Sequence, residues 1–243
     1  MMEKTLDGHW EKIYLHQQKD FRSANLNRLL LKMMPRKGSV LDVGCGTCGL
    51  TLELLKHGYD VYAIDSSFTM VENAKKVLEK AGYSRGIVTL KNLLDLNKND
   101  NFDIIICLDV LEHIEDDYGA FGKLCNSLNK GGKIIISVPA MQSLYGKRDI
   151  ELGHYRRYDP NRLRSIFNKY SIEIEKLRYW NFIGILPLFI SIKKNKRLNE
   201  EFRYSASLKN RSINKFLYYW FRIFENNVDA KIGLTLICLG IKS

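Results

Sequence analysis

Between Ser39 and Ala140, continuous apolar runs alternate with segments of helical spacing, and no other feature restricts the fold as much. The runs are "SVLDVG" (39–44), "DVYAID" (60–65), "GIVTLKNLL" (86–94), "FDIIICLD" (102–109) and "KIIISVPA" (133–140). Between them lie "LTLELLKHG" (50–58), "TMVENAKKVLEKAG" (69–82) and "YGAFGKLCNSLNKGG" (118–132), each a helix closed by glycine. Strands apolar on both faces and separated by helices predict a parallel sheet covered on both sides. Two later runs, "IEIEKLRYW" (172–180) and "LTLICLGIK" (234–242), predict further strands, for seven in all. The expected fold class is therefore α/β, a doubly wound and mostly parallel sheet, which binds its ligand at the carboxyl ends of its strands. Ahead of it, residues 13–34 read as one helix with Phe21, Leu26, Leu29, Leu30 and Met33 as its apolar stripe. Residues 183–232 show no such alternation, and no internal repeat is found.

Composition bounds the setting. A chain of 243 residues with 45% hydrophobic content suits one globular domain with a proper core. The opening "MMEKTLDGHWEK" has no apolar run, so no signal peptide is expected, and no segment is long enough to span a bilayer. Five cysteines, an odd count, fit reduced thiols. A cytoplasmic location is the expectation. Residues 1–140 carry 18 acids and 18 bases, so the whole net charge of +11 lies in residues 141–243. That asymmetry points to an anionic partner, or to nothing more than a solvated basic surface.

The first strand ends in "LDVGCGTCGL" (41–50), which reads in two ways. Gly44, Gly46 and Gly49 spell G-x-G-x-x-G, a dinucleotide-binding turn that offers bare N–H groups to a pyrophosphate. Asp42, Gly44 and Gly46 spell D-x-G-x-G, and an acid just before the glycines opposes a pyrophosphate. A cationic ligand tolerates it. Asp65 ends the second strand and suits the ribose hydroxyls of either ligand. Cys48 stands where a third alternating glycine would sit, and Gly49 is expected to absorb the strain of the turn. Cys45 and Cys48 form a C-x-x-C with no second pair or flanking histidine, so no metal is expected.

The glycine turn together with "FDIIICLDVLEHIEDD" and "LNKGGKIIISVP" resembles class I S-adenosylmethionine (SAM) methyltransferases, from about Ser39 to Pro139. The resemblance implies a Rossmann-like methyltransferase domain that uses SAM and releases S-adenosylhomocysteine. It implies one domain over 1–243: a helical cover (1–36), a SAM-binding core (37–140), an acceptor-side block (141–182), a basic-aromatic insertion (183–232) and a last strand (233–243). Carried over residue by residue, Asp42 holds the turn or the ligand amine. Gly44, Cys45 and Gly46 pass beside the methionine part, and Asp65, with Ser66 beside it, holds the ribose diol. Met70 packs near the adenine. Asn92 accepts from the adenine amino group in place of the usual Asp, the Leu93 backbone meets the ring edge, and Leu108 lies under the methionine end.

Methyl transfer needs an aligned nucleophile and, for an alcohol, removal of its proton. His113 in "DVLEHI" sits at the mouth of the expected site, as a base or as a structural cap. The block "LGHYRRYD" (152–159) resembles a methyltransferase subgroup with H-x-R-R-Y after "VPA" and a nearby acid, here Asp149. His154 and Arg157 are the catalytic candidates there. The Arg156–Arg157 pair suits a phosphate or carboxylate on the acceptor, or else ties the loop to an acid of the sheet edge. Trp10, Tyr14 and Arg22 are candidates to close over SAM. Two stretches, 182–197 ("FIGILPLFISI" then "KKNKR") and 216–224 ("FLYYWFRIF"), suit a lid over the acceptor pocket, a dimer contact, or peripheral docking on the inner face of a membrane. The expected activity is methyl transfer to a small-molecule, glycan or lipid-linked acceptor, at oxygen. The alternatives are an RNA methyltransferase and a non-catalytic SAM-binding module. With no RNA module appended, a nucleic acid is not the expected partner.

Overall fold

A computed structural model describes residues 21–97, 100–185 and 211–243. Its helices are α1 (Phe21–Met33), α2 (Gly49–Lys56), α3 (Phe68–Lys80), α4 (Asp117–Asn126), α5 (Lys147–Glu151), α6 (Pro160–Lys169) and α7 (Arg211–Trp220). Its strands are β1 (Ser39–Val43), β2 (Asp60–Asp65), β3 (Val88–Leu90), β4 (Phe102–Leu108), β5 (Leu128–Pro139), β6 (Ile172–Trp180) and β7 (Thr235–Lys242). They form one mixed seven-stranded sheet in the order β3-β2-β1-β4-β5-β7-β6. The pairs β1/β2, β2/β3, β1/β4 and β4/β5 are parallel. Val40 stands beside Val61 on one side and Ile104 on the other. From β1 the chain winds outward to β3 and then returns to lay β4 on the other side of β1. That reversal opens a crevice at the carboxyl ends of β1 and β4, where a doubly wound sheet takes its ligand.

The centre of the sheet is dry because its strands carry apolar residues on both faces. Val40, Leu41, Ile104–Cys107 and Ile134–Ile136 are all fully buried. Helix α3 shows why a single stripe suffices: Val71, Ala74 and Leu78 face the sheet, while Ser67 caps the helix by accepting from the Met70 N–H.

Two boundaries differ from the periodicity reading. The third strand is only Val88–Leu90, because the Asn92 side chain accepts from Leu94 N–H at 2.9 Å and starts a 3₁₀ turn at Leu93–Asp95. The glycine pair Gly131–Gly132 does not close a helix. Helix α4 stops at Asn126, and the pair lies inside β5, where the register against β4 slips between Phe102 and Ile104. The first helix is described only over Phe21–Met33, and its expected start at residue 13 lies outside the described residues.

Chain contacts define two compact units. The α/β unit comprises Leu30–Leu177 and Leu236–Ser243. The described residues of the other unit are 21–29, 178–185 and 211–235. Within it, Phe221 meets Phe21 at 5.3 Å and Trp180 at 5.0 Å between ring centroids. The buried Arg178 donates to the carbonyls of Glu225, Asn226 and Val228. The Glu225 carboxylate accepts from the N–H groups of Phe182 and Ile183. This unit exposes Phe216, Tyr219, Ile223 and Phe224 beside Lys215 and Arg222. Among the described residues no helix is long and apolar enough to cross a membrane.

Candidate active site

The glycine turn leaves β1 where the crevice opens. Gly44 has φ +71°, and a side chain there would collide with Val110 Cγ2, so both the angle and the space demand glycine. The N–H groups of Gly44 and Cys45 donate to Ile64 O, pinning the turn to β2. Gly46 has φ +52° with open space on its Cβ side, a cradle that a ligand chain can lie along.

Cys48 takes the left-handed conformation itself, at φ 63° and ψ 28°, as the N-cap of α2. Gly49, expected to absorb that strain, begins the helix at no positive φ. Cys48 is fully buried, and its thiol hydrogen-bonds Cys45, whose thiol is pushed up first by that bond and then by burial.

Two carboxylates flank the turn. Asp42 is buried, accepts from Thr51 Oγ1 at 2.6 Å, and is pushed up to about 6, mainly by burial and further by the charge of Asp65. Asp65 ends β2, with Oδ2 accepting from Gly46 N–H at 2.9 Å and Oδ1 from Ser67 N–H at 2.8 Å. Asp42, two residues before the first glycine, opposes a pyrophosphate and tolerates a cationic ligand, while Asp65 suits the ribose of either. The open cradle at Gly46 and the acceptor-only Asp65 thus fit SAM, with its sulfonium, ammonium and ribose diol. Ser66 is exposed, Met70 half-buried, and Leu108 half-buried at the end of β4. Leu93 is buried, and Asn92 is exposed with its amide oxygen on Leu94 N–H.

The catalytic candidates converge from two loops. Leu111–His113 is a 3₁₀ turn after β4, and Tyr155 N–H donates to Glu112 O at 2.8 Å, drawing the second loop onto it. The His113 and His154 rings meet edge to face at 4.6 Å. His113 also hydrogen-bonds the Gly153 backbone, and its pKa is lowered first by desolvation and then by facing His154. His154 Nδ1 lies 3.1 Å from Asp149 Oδ1.

The arginine pair is committed to protein acceptors. Arg157 Nε reaches both oxygens of the buried Asp149 at 2.9 and 3.0 Å, and Arg157 Nη1 donates to Ala140 O. Arg156 donates to the carbonyls of Ile114 and Glu115 and lies 3.5 Å from Asp117. The buried Tyr158 donates to Asp117 Oδ2 at 2.9 Å, and Arg162 grips the same carboxylate. Both arginines of the H-x-R-R-Y block thus meet protein acceptors, and the carboxylate that Arg157 engages, Asp149, lies in α5 and not on the sheet edge. Arg22 belongs to the other unit, where its guanidinium lies 5.8 Å over the Trp180 ring. Trp10 and Tyr14 lie outside the described residues, as does the part of 182–197 beyond Ile185.

Sequence reasoning passed over Glu112, which is buried beside His113. The signal was the acid immediately before the histidine in "LEH", on a turn after an apolar strand.

A family model described as "Methyltransferase domain" matches residues 14–182. Over 101 residues the chain is 31% identical to the ubiquinone biosynthesis O-methyltransferase of Rickettsia canadensis (strain McKiel), covering 42% of this chain and 42% of that one. It therefore spans less than half the length of that curated relative. A Haloferax volcanii methyltransferase, solved in complex with the Trm112 methyltransferase activator, shares 15% identity at TM-score 0.62, over 98% of this chain and 93% of that one. Phosphoethanolamine N-methyltransferase 2 of Haemonchus contortus, solved with SAM, shares 18% identity at TM-score 0.60, over 90% of this chain and 52% of that one. Those two likenesses establish the common fold. With the family match over residues 14–182 and the doubly wound sheet these structures share, this chain has the class I methyltransferase fold and belongs to the methyltransferase-domain family.

Proposed function

We propose that the chain methylates a hydroxyl oxygen of a small-molecule, glycan or lipid-linked acceptor. The observation that carries this reading is the His113–His154 pair, whose rings meet at 4.6 Å beyond the crevice, with His154 anchored to Asp149. Bound SAM supplies an electrophilic methyl group on a sulfonium. Everything else falls to the protein. Gly44, Cys45 and Gly46 bind along the methionine part, Asp42 braces the turn through Thr51, and Asp65 takes the ribose diol. Ser66, Met70, Asn92, Leu93 and Leu108 line the adenine and methionine ends. An alcohol must shed its proton to attack in line, whereas an amine attacks through a free lone pair. With Nδ1 of His154 turned to Asp149, its Nε2 is the atom left to face the acceptor. Arg157 is then a positioning residue, holding Asp149 in place. The O-methyltransferase activity named for the Rickettsia relative agrees with an oxygen acceptor.

The test is a cell extract incubated with the protein and methyl-labelled SAM, then separated into lipid, small-molecule, RNA and protein fractions. Label in a small-molecule or lipid fraction, stable as a methyl ether or ester, is the expected result. Label in RNA alone replaces this reading with the RNA one. SAM binding without S-adenosylhomocysteine formation in any fraction makes the chain a binding module.

A further inference from the structure

The histidine pair has a neighbour with no other task. Glu112 is 1% exposed, and its Oε2 finds no hydrogen-bond donor. The side chain is otherwise met by its own backbone N–H. A buried carboxylate oxygen without a partner is costly and calls for a counterpart. Glu112, His113 and His154 each present a ligand atom within 4.8 Å of the others. We propose that these three side chains hold a divalent first-row transition cation on which the acceptor hydroxyl ionises. The cation site stands on this geometry alone; where it is filled, His154 Nε2 binds the cation and no longer takes the acceptor proton itself, and the cation's role in catalysis rests on the oxygen-acceptor reading above.

The surroundings are those of a metal centre. Ligating histidines turn their second ring nitrogen to a carboxylate or a backbone carbonyl, which fixes the ring and frees the other nitrogen. His154 turns Nδ1 to Asp149, itself locked by Arg157. His113 pairs with the Gly153 backbone, and a Cβ placed at Gly153 would stand 3.8 Å from its Nδ1. The Tyr155 N–H to Glu112 O bond holds the two loops in register. Asp109 and Asp149 bring like charge near Glu112, and Arg157 brings the opposite sign. The Asp109 carboxylate is held in turn by Ser137 Oγ at 2.9 Å.

The donor set selects the ion. Two imidazoles and one carboxylate suit Zn²⁺, Fe²⁺, Co²⁺ or Mn²⁺ better than Ca²⁺, which prefers oxygen alone, or Cu⁺, which prefers sulfur. Ligand atoms bonded at about 2.1 Å to one tetrahedral or octahedral cation lie about 3.0–3.4 Å apart, so the three side chains must draw together by up to about 1–2 Å to complete the site. Three protein ligands leave positions open, and there the acceptor oxygen binds. Its O–H bond breaks with the proton passing to water. The oxygen then forms its bond to the methyl carbon as the carbon–sulfur bond breaks, and that electron pair stays on sulfur as S-adenosylhomocysteine.

The experiment strips the full chain with EDTA and titrates it with Co²⁺, read by ligand-field absorption and calorimetry, with S-adenosylhomocysteine affinity measured alongside. One Co²⁺ per chain, displaced by Zn²⁺, is expected. Glu112→Gln, which keeps shape and fold, should weaken Co²⁺ binding at least about tenfold and leave S-adenosylhomocysteine affinity unchanged. Cys48→Ser should bind Co²⁺ as the parent does. No saturable Co²⁺ binding by protein that still binds S-adenosylhomocysteine overturns the proposal. So does binding that survives Glu112→Gln and disappears in Cys48→Ser. Methyl transfer separates the two readings. An oxygen-methylated product whose formation EDTA does not slow removes the cation from catalysis and leaves the oxygen reading standing. Methylation at nitrogen alone, with Co²⁺ bound through Glu112, sinks the oxygen reading and upholds the cation site.

Discussion

At Cys48 a side chain sits where backbone geometry favours none. Its φ of 63° costs a non-glycine residue about 1 kcal/mol, while its buried thiol recovers a similar amount through packing. Cys48→Gly should therefore change stability by less than about 1 kcal/mol and shift S-adenosylhomocysteine affinity less than about tenfold. Cys48→Val, β-branched at positive φ, should lose about 2 kcal/mol or more. Urea melts and calorimetry on both variants check this, and equal losses would locate the effect in the thiol rather than the backbone. Asp42 makes a pH-dependent prediction. Its folded pKa of about 6 lies above the ordinary 3.8, so the protonated form is the one folding favours. The stability this contributes is full below about 3.8 and is lost as pH rises through about 6. A shift of about two pKa units corresponds to about 3 kcal/mol. Asp42→Asn, which cannot ionise, should lack that loss, so the difference in stability between variant and parent should grow in the variant's favour by about 2 kcal/mol between pH 4 and pH 8. Parallel denaturation curves at the two pH values measure it. A difference flat in pH would mean that Asp42 is ionised in the fold at little cost.

The loops after β4 and β5 act as one element, joined through carboxylates. Asp149 and Asp117 are both buried, and between them they engage His154, Arg157, Tyr158 and Arg162. Removing one partner of a buried ion pair strands the other charge, at about 3–5 kcal/mol. Arg157→Ala should lower unfolding stability by about that much while S-adenosylhomocysteine affinity stays within about threefold, because the ligand turn is held by β1 and β2 instead. Arg157→Lys should recover part of the loss, since it keeps the charge without the planar two-contact geometry. An Arg157→Ala protein as stable as the parent, with weakened binding of a phosphorylated acceptor, would return Arg157 to the role of anion reader.

For the molecule as a whole, short-range pattern carried the sheet. Strands apolar on both faces must be buried on both faces, so "FDIIICLD" and "KIIISVPA" could only be central, and the acid and glycines of "LDVGCG" could only mark the exit from a first strand toward a ligand. Helix α4 and strand β5 were misdivided because a glycine pair reads locally as a helix stop, and only pairing with β4 draws Asn129–Gly132 into a strand. The arginines of "HYRRY" show the same limit. Their charge is written in the chain, but whether it meets an acceptor or Asp149 depends on which carboxylate the fold brings within 3 Å. The nearness of Glu112 to His154, 42 residues apart, was not legible in the chain, since it arises only when two loops are hydrogen-bonded together. What the sequence alone determined is the class of sheet, the glycine turn at the end of its first strand and the family, because periodicity and backbone freedom act over a few residues. What only the tertiary structure decided is which carboxylates and carbonyls the charged side chains meet, because electrostatic partners are chosen by distance in space and not along the chain.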